Sequence, residues 1–222
     1  MSDFSVTLPA DILRAVAIAC SAEETRYYLQ GVSVEPDGPT AHLVATDGHR
    51  LMVARVEAVI PGEKFIIPAD AIARALKGYK APVIELARRG GAWQLGDTLF
   101  RPIDGSFPAW NRVMPDLTSK GELGKLAQFD SSYLESFRKA AAMLGGRASH
   151  PHLHHCGASP ALVTFSGRDD IFGLCMPRRG DDAREAPDLR LLVDMMTQKA
   201  SEGAIRTAER HARLASASIA AE

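Results

Sequence analysis

Long apolar runs, paired cysteines and a surplus of either charge are all missing from this chain. None of its 222 residues lies in a hydrophobic stretch long enough to span a bilayer, so no transmembrane helix is expected. The first residues include Asp3 and lack a basic segment followed by an apolar core. A secretory leader is therefore not expected, and a cytoplasmic location is the expectation. The three cysteines, Cys20, Cys156 and Cys175, are odd in number and widely spaced, which excludes a disulfide framework and predicts reduced thiols. A formal charge of −1 excludes a global electrostatic field for nucleic acid, so any such contact must come from a locally basic face. No Gly-rich phosphate loop, nucleophile elbow or carboxylate cluster for two-metal chemistry is present. No catalytic residue and no cofactor is predicted.

What the chain has is an ordinary globular composition, 46% hydrophobic and 24% charged, and a repeat. Val6-Thr7-Leu8-Pro9-Ala10-Asp11-Ile12-Leu13 recurs as Phe65-Ile66-Ile67-Pro68-Ala69-Asp70-Ala71-Ile72. It recurs again as Leu126-Ala127-Gln128-Phe129-Asp130-Ser131-Ser132-Tyr133-Leu134. Each copy, roughly sixty residues from the last, reads as a short apolar strand, a Pro or Asp/Ser helix start, then an amphipathic helix. Ile12, Leu13, Val16 and Cys20 share one helical face, as do Ile72, Leu76 and Tyr79, and Leu134, Phe137, Ala141 and Leu144. Strand-like runs follow each helix: Tyr27 to Glu35, Ala41 to Thr46 and Leu51 to Glu57 in the first unit. The second has Val83 to Ala87, Ala92 to Leu95 and Thr98 to Pro102, and the third His152 to Cys156, Ala161 to Ser166 and Ile171 to Met176. The reading is an α+β fold made of β-α-β-β-β units.

Four short segments carry a more specific signal: Arg26-Tyr27-Tyr28-Leu29, Ala45-Thr46-Asp47-Gly48-His49-Arg50-Leu51, Phe107-Pro108-Ala109-Trp110-Asn111-Arg112-Val113 and Leu174-Cys175-Met176-Pro177-Arg178-Arg179. In this order they resemble the peptide-binding pocket of the bacterial DNA polymerase III β sliding-clamp family. The resemblance implies a DNA-clamp fold in which two units make a domain, with helices on one face of curved antiparallel sheets. Residues 1–116 would form a complete domain, 125–180 half of another, and 181–222 a helical C-terminal extension without a counterpart in the clamp pattern.

The resemblance also implies a function. A sliding-clamp-like processivity factor in DNA replication would bind short linear peptides of polymerases or repair proteins and contact or encircle duplex DNA as a homo-oligomer. A clamp loader would be a further partner. The implied pocket is Leu29, Thr46, Gly48, His49, Arg50, Leu51, Pro108, Arg112, Val113, Leu174, Cys175, Met176, Pro177 and Arg178. Their chemistry suits the task. Leu51, Val113 and Leu174 supply apolar wall, Met176 adapts to different ligands, and Arg50 and Arg112 can meet peptide carbonyls or a carboxylate. Arg178 stands where the family often has a second apolar residue, which would narrow the pocket or favour acidic ligands.

For DNA, the implied contacts are Arg14, Arg26, Tyr27, Tyr28, Arg74, Lys77, Lys80, Arg138, Lys139 and Arg147. Taken singly, each also reads as part of a solvated helix face. Twelve units make a six-domain ring, so four chains of three units would close one by arithmetic. The alternative is a clamp-derived peptide-binding adaptor that does not encircle DNA. One further pattern, His150, His152, His154 and Cys156 on one strand face, has zinc-ligand chemistry, but ligands strung along a straight strand converge poorly on a tetrahedral centre. No metal is predicted.

Overall fold

A computed structural model describes residues 3–115, 127–146, 150–155 and 159–179. Leu126, Arg147, Cys156, the connector 116–124 and the extension 181–222 lie outside the described residues.

The first unit runs β1 (Phe4–Pro9), α1 (Ala10–Ala17), β2 (Gly31–Asp37), β3 (Thr40–Thr46) and β4 (Arg50–Val56). The second repeats it as β5 (Phe65–Pro68), α2 (Ala69–Leu76), β6 (Val83–Arg89), β7 (Ala92–Leu95) and β8 (Thr98–Phe100). Pro9 and Pro68 occupy the N-caps, and Asp11 and Asp70 fall in the first turns, where a negative charge complements the helix dipole. The third unit supplies α3 (Ser131–Leu144), β9 (Pro151–His154), β10 (Ala161–Phe165) and β11 (Arg168–Cys175). Its N-cap, Asp130, accepts the Ser132 N–H at 2.8 Å.

The units exchange their first strands. β1 pairs antiparallel with β6, so the four-stranded sheet runs β1-β6-β7-β8, while β5 pairs with β2. The other sheet continues from the first two units into the third, in the order β5-β2-β3-β4-β11-β10-β9. The seam is the antiparallel ladder between β4 and β11, with Leu51 opposite Leu174, Met52 opposite Gly173 and Val53 opposite Phe172. Alternation along these strands splits the apolar residues between two faces. Leu43, Met52, Ala54, Val163 and Ile171 join the main core with residues of the three helices. Val44, Leu51, Val53 and Leu174 form a second cluster with Leu29, Ile66 and Phe107 on the opposite face.

Two expectations need correction. The first post-helix strand was expected from Tyr27, but Glu24–Leu29 form a short 3-10 helix and the strand starts at Gly31. Leu29 is buried there, and its carbonyl accepts the Ser21 N–H at 2.9 Å, which commits the backbone to the loop. The third unit was expected to open on a strand, yet residues 127–130 are not in one. A first strand exists here only through exchange with another unit, and among the described residues no unit offers the exchange.

Candidate peptide-binding pocket

On the outer face of the seam lies a cavity of about 160 Å³. Its floor is the cross-strand pair Leu51 and Leu174, one from each side of the junction. Leu29 from the 3-10 helix, Thr46 and Gly48 from the β3–β4 turn, Pro108, Ala109, Trp110 and Val113 from the segment after β8, and Met176 after β11 complete the lining with Arg50. An apolar cavity near 150 Å³ accommodates a ring the size of benzene, so this one suits a single medium-sized apolar side chain.

Local structure explains how distant segments meet. Thr46 Oγ1 donates to the Arg50 carbonyl at 2.7 Å and accepts the Gly48 N–H at 3.0 Å, while Asp47 Oδ1 accepts the N–H groups of His49 and Arg50 at 2.9 and 3.0 Å. The turn closes around Gly48, whose φ of 92° excludes ordinary side chains. Arg26 lies over it, with its Nη1 donating to the Asp47 carbonyl at 3.2 Å. Across the seam, the Met176 N–H donates to the His49 carbonyl at 2.8 Å, which fixes Met176 at the rim.

Ala109 and Trp110 are the two wall residues that the sequence-implied pocket left out, although their segment was recognised. Residues Trp110–Val113 form a 3-10 turn that directs the indole onto the sheet. There its N–H donates to Glu35 Oε2 at 3.1 Å, and the ring lies 5.8 Å from His42 and 6.5 Å from Phe172 of β11. Trp110 thus spans the seam as Leu51 and Leu174 do.

The arginines behave differently from expectation. Arg50 lines the cavity, but its guanidinium is already committed. Its Nη2 donates to the Ile18 carbonyl at 3.0 Å, its Nε lies 3.0 Å from Asp47 Oδ2 at ion-pair distance, and the group sits 5.3 Å from the centre of the Tyr133 ring. Arg112 and Arg178 are exposed and stand outside the cavity lining, as do His49, Cys175 and Pro177. His49 instead stacks on Tyr133 at 5.7 Å and 11°. The Cys175 thiol is pushed up to about 11 by burial, so it remains protonated in the wall behind.

The helix-borne cations are largely engaged. Arg14 donates to the Tyr79 and Leu76 carbonyls, clasping the end of α2. Arg74 pairs with Asp70, and Arg138 forms a two-point contact with Glu135 at 2.6 Å. Arg26 also pairs with Glu23 at 3.1 Å. Lys77, Lys80, Lys139 and Tyr27 are exposed, and Tyr28 packs beside Gly105. On the outer face of β9, His152 and His154 are bonded to Ser166 and Thr164 at 2.7 and 2.9 Å.

Over part of its length the chain is similar to known proteins. Residues 6–108 match the model for the central domain of the DNA polymerase III beta subunit. Over that part the chain is similar to the bacterial DNA polymerase III β-clamp family. It is 31% identical over 126 residues to the beta sliding clamp of Salmonella typhimurium strain LT2, which covers 51% of this chain and 34% of that protein. The Pseudomonas aeruginosa PAO1 beta sliding clamp is 31% identical over 131 residues, 55% of this chain and 36% of the relative. The matched part is thus about a third of these curated clamps' length. In fold, the chain resembles the Thermotoga maritima DNA polymerase III beta subunit at TM-score 0.65, with 16% identity, covering 81% of this chain and 66% of that one. Caulobacter crescentus pol III beta gives 0.62, with 20% identity, covering 81% and 67%. Among the described residues no helix is long and apolar enough to cross a membrane.

Proposed function

We propose that this chain is a non-enzymatic, clamp-type accessory protein of DNA replication that captures short linear peptides of polymerases or repair proteins in the seam cavity. The observation that carries the reading is the cavity itself: an apolar hollow floored by Leu51 and Leu174 and rimmed by Trp110 and Met176. Such a hollow suits an apolar anchor side chain, with exposed backbone and Arg112 at its margin to orient the rest of the peptide. The test is a titration of a fluorescent peptide carrying a glutamine and apolar anchors. Wild type is expected to bind saturably, Met176→Ala and Trp110→Ala at least tenfold more weakly. Undiminished binding in both variants rejects this placement of the site.

Whether the chain also encircles duplex DNA is a separate question, and the adaptor reading has a specific observation in its favour. Arg14, Arg26, Arg74 and Arg138 are held by carbonyls or carboxylates of the same chain, which leaves a weak positive surface on the helical layer. Encirclement would sum Lys77, Lys80 and Lys139 over several subunits, and a loader would then be needed to open the ring. DNA binding that steepens with falling salt, in an assembly of four chains, supports the ring; salt-independent or absent binding supports the adaptor.

A further inference from the structure

The first two units together contain a complete version of something the third unit shows only in half among the described residues. There, each unit gives its first strand to the second strand of the other: β1 lies on β6 and β5 on β2. Residues 127–130 stand in the place of β5. The Arg178 N–H donates to the Gln128 carbonyl at 2.7 Å, just as the Ile103 N–H donates to the Ile66 carbonyl at 3.0 Å. This fixes the correspondence of Gln128 with Ile66 and Phe129 with Ile67. Likewise Leu153, opposite Val163 on β10, corresponds to Val34, opposite Leu43 on β3.

Burial marks the edge that is left open among the described residues. Val34 is 0% exposed under its exchanged neighbour Phe65, whereas Leu153 is 40% exposed. Counting four residues on from each N-cap, Leu134 corresponds to Leu13 and Ile72. Those two are 0% and 2% exposed, and Leu134 is 37%. Among the described residues, no strand lies beyond β9.

We propose that a second copy of this chain covers this edge, so that two third units complete one clamp-type domain about a twofold axis. Reciprocity selects this occupant. Residues 127–130 want a second strand, and β9 wants a first strand; an identical unit supplies both, which is the self-complementarity a twofold interface requires. A unit already paired inside a domain has neither to give. The register follows from Ile67↔Val32, Ile66↔Ser33 and Phe65↔Val34. Phe129 lies opposite the partner's Pro151, Gln128 opposite the partner's His152 and Ala127 opposite the partner's Leu153. Pro151 brings no N–H to the ladder, so the apolar contacts of Leu153 and Leu134 carry more of the association than in the first domain.

The test uses the full-length chain in sedimentation or light scattering across a concentration series. The expected result is a reversible dimer whose dissociation constant rises at least tenfold in Leu153→Asp and in Leu134→Asp. Both leucines are already partly exposed, so the variants keep wild-type circular dichroism. A second measurement fixes the register. In a Cys156→Ser background, chains carrying Gln128→Cys and chains carrying His152→Cys form a mixed disulfide dimer on mild oxidation, and neither does so alone to a comparable extent. A monomer at every concentration, or a dimer that ignores both Asp substitutions and forms no mixed disulfide, overturns the proposal. So does a monomer that instead captures a different clamp chain through Leu153.

Discussion

Arg168 at the start of β11 reaches back across the seam to Asp11 in the first turn of α1, its Nη1 donating to Asp11 Oδ2 at 3.0 Å while Nε and Nη2 grip Asp170 at 2.9 and 3.0 Å. One guanidinium thus ties the third unit to the first helix. The hydrogen bonds from Arg168 hold the Asp170 carboxyl below its ordinary value of 3.8. A carboxylate lowered on folding stabilises the fold fully above its unfolded value and loses that contribution as pH falls through the lowered one. Wild type should therefore shed this tie only below about pH 4, the ordinary carboxylate range. Arg168→Met removes the tie at all pH values, and acid titration followed by circular dichroism should show a smaller loss below about pH 4 in the variant. Both carboxylates are partly exposed, so the effect is modest.

Gly173 admits β11 between β4 and α3. A Cβ there would collide with the Phe137 ring and stand 3.2 Å from the Leu51 carbonyl oxygen. Gly173→Ala should cost about 1–3 kcal/mol, the usual range for overpacking, and loosen the seam that floors the pocket. Adding Phe137→Leu should restore part of the stability. Denaturant titration of the single and double variants checks both.

Glu35 holds the pocket wall through Trp110. Glu35→Ala should free the indole and weaken peptide binding several-fold, whereas Glu35→Gln keeps an acceptor and most of the affinity. In a Trp93→Phe background, the emission of Trp110 should shift to the red in the first variant alone.

Arg14 separates a structural role from a DNA-binding one. Its bonds to the Leu76 and Tyr79 carbonyls place a cation at the α2 C-terminus, where charge-assisted bonds and the helix dipole both favour it. Arg14→Ala should lower stability by about 1–3 kcal/mol. At low salt it should reduce DNA binding less than Lys77→Ala with Lys139→Ala does. A gel-shift series and a melting curve measure the two effects independently.

Burial pushes the Cys20 thiol up to about 12 and the Cys175 thiol up to about 11. Both should resist iodoacetamide at pH 8 in the native chain and react in denaturant, since the thiolate is the nucleophile. Mass spectrometry of the alkylated peptides gives the result directly.

Much of this architecture was legible in the sequence because it is local. Pro9, Pro68 and Asp130 announce helix starts, Asp47-Gly48 announces a turn, and alternation in Ala41 to Thr46 separates Leu43 from Val44. The wall residues Leu29, Leu51, Val113, Leu174 and Met176 followed from their motifs and do meet in the cavity. What a side chain does at long range was hidden. Nothing in the neighbourhood of Arg50 announces that Ile18 and Tyr133 will consume its donors, or that Glu35 will take the Trp110 N–H. The 127–130 segment occupies the place of Phe65–Pro68 in the repeat, but a strand is a pairing and not a position in a pattern.

The cavity floor has a thermodynamic consequence. Because Leu51 and Leu174 come from opposite sides of the β4–β11 ladder, a ligand seated on them binds only while that ladder is closed. Ligand occupancy and seam closure are therefore linked, and a ligand at a hundred times its dissociation constant adds about 2.7 kcal/mol to the closed form. Amide hydrogens of Leu174 and its neighbours should exchange more slowly when ligand is present, turning the seam into a built-in gauge of occupancy.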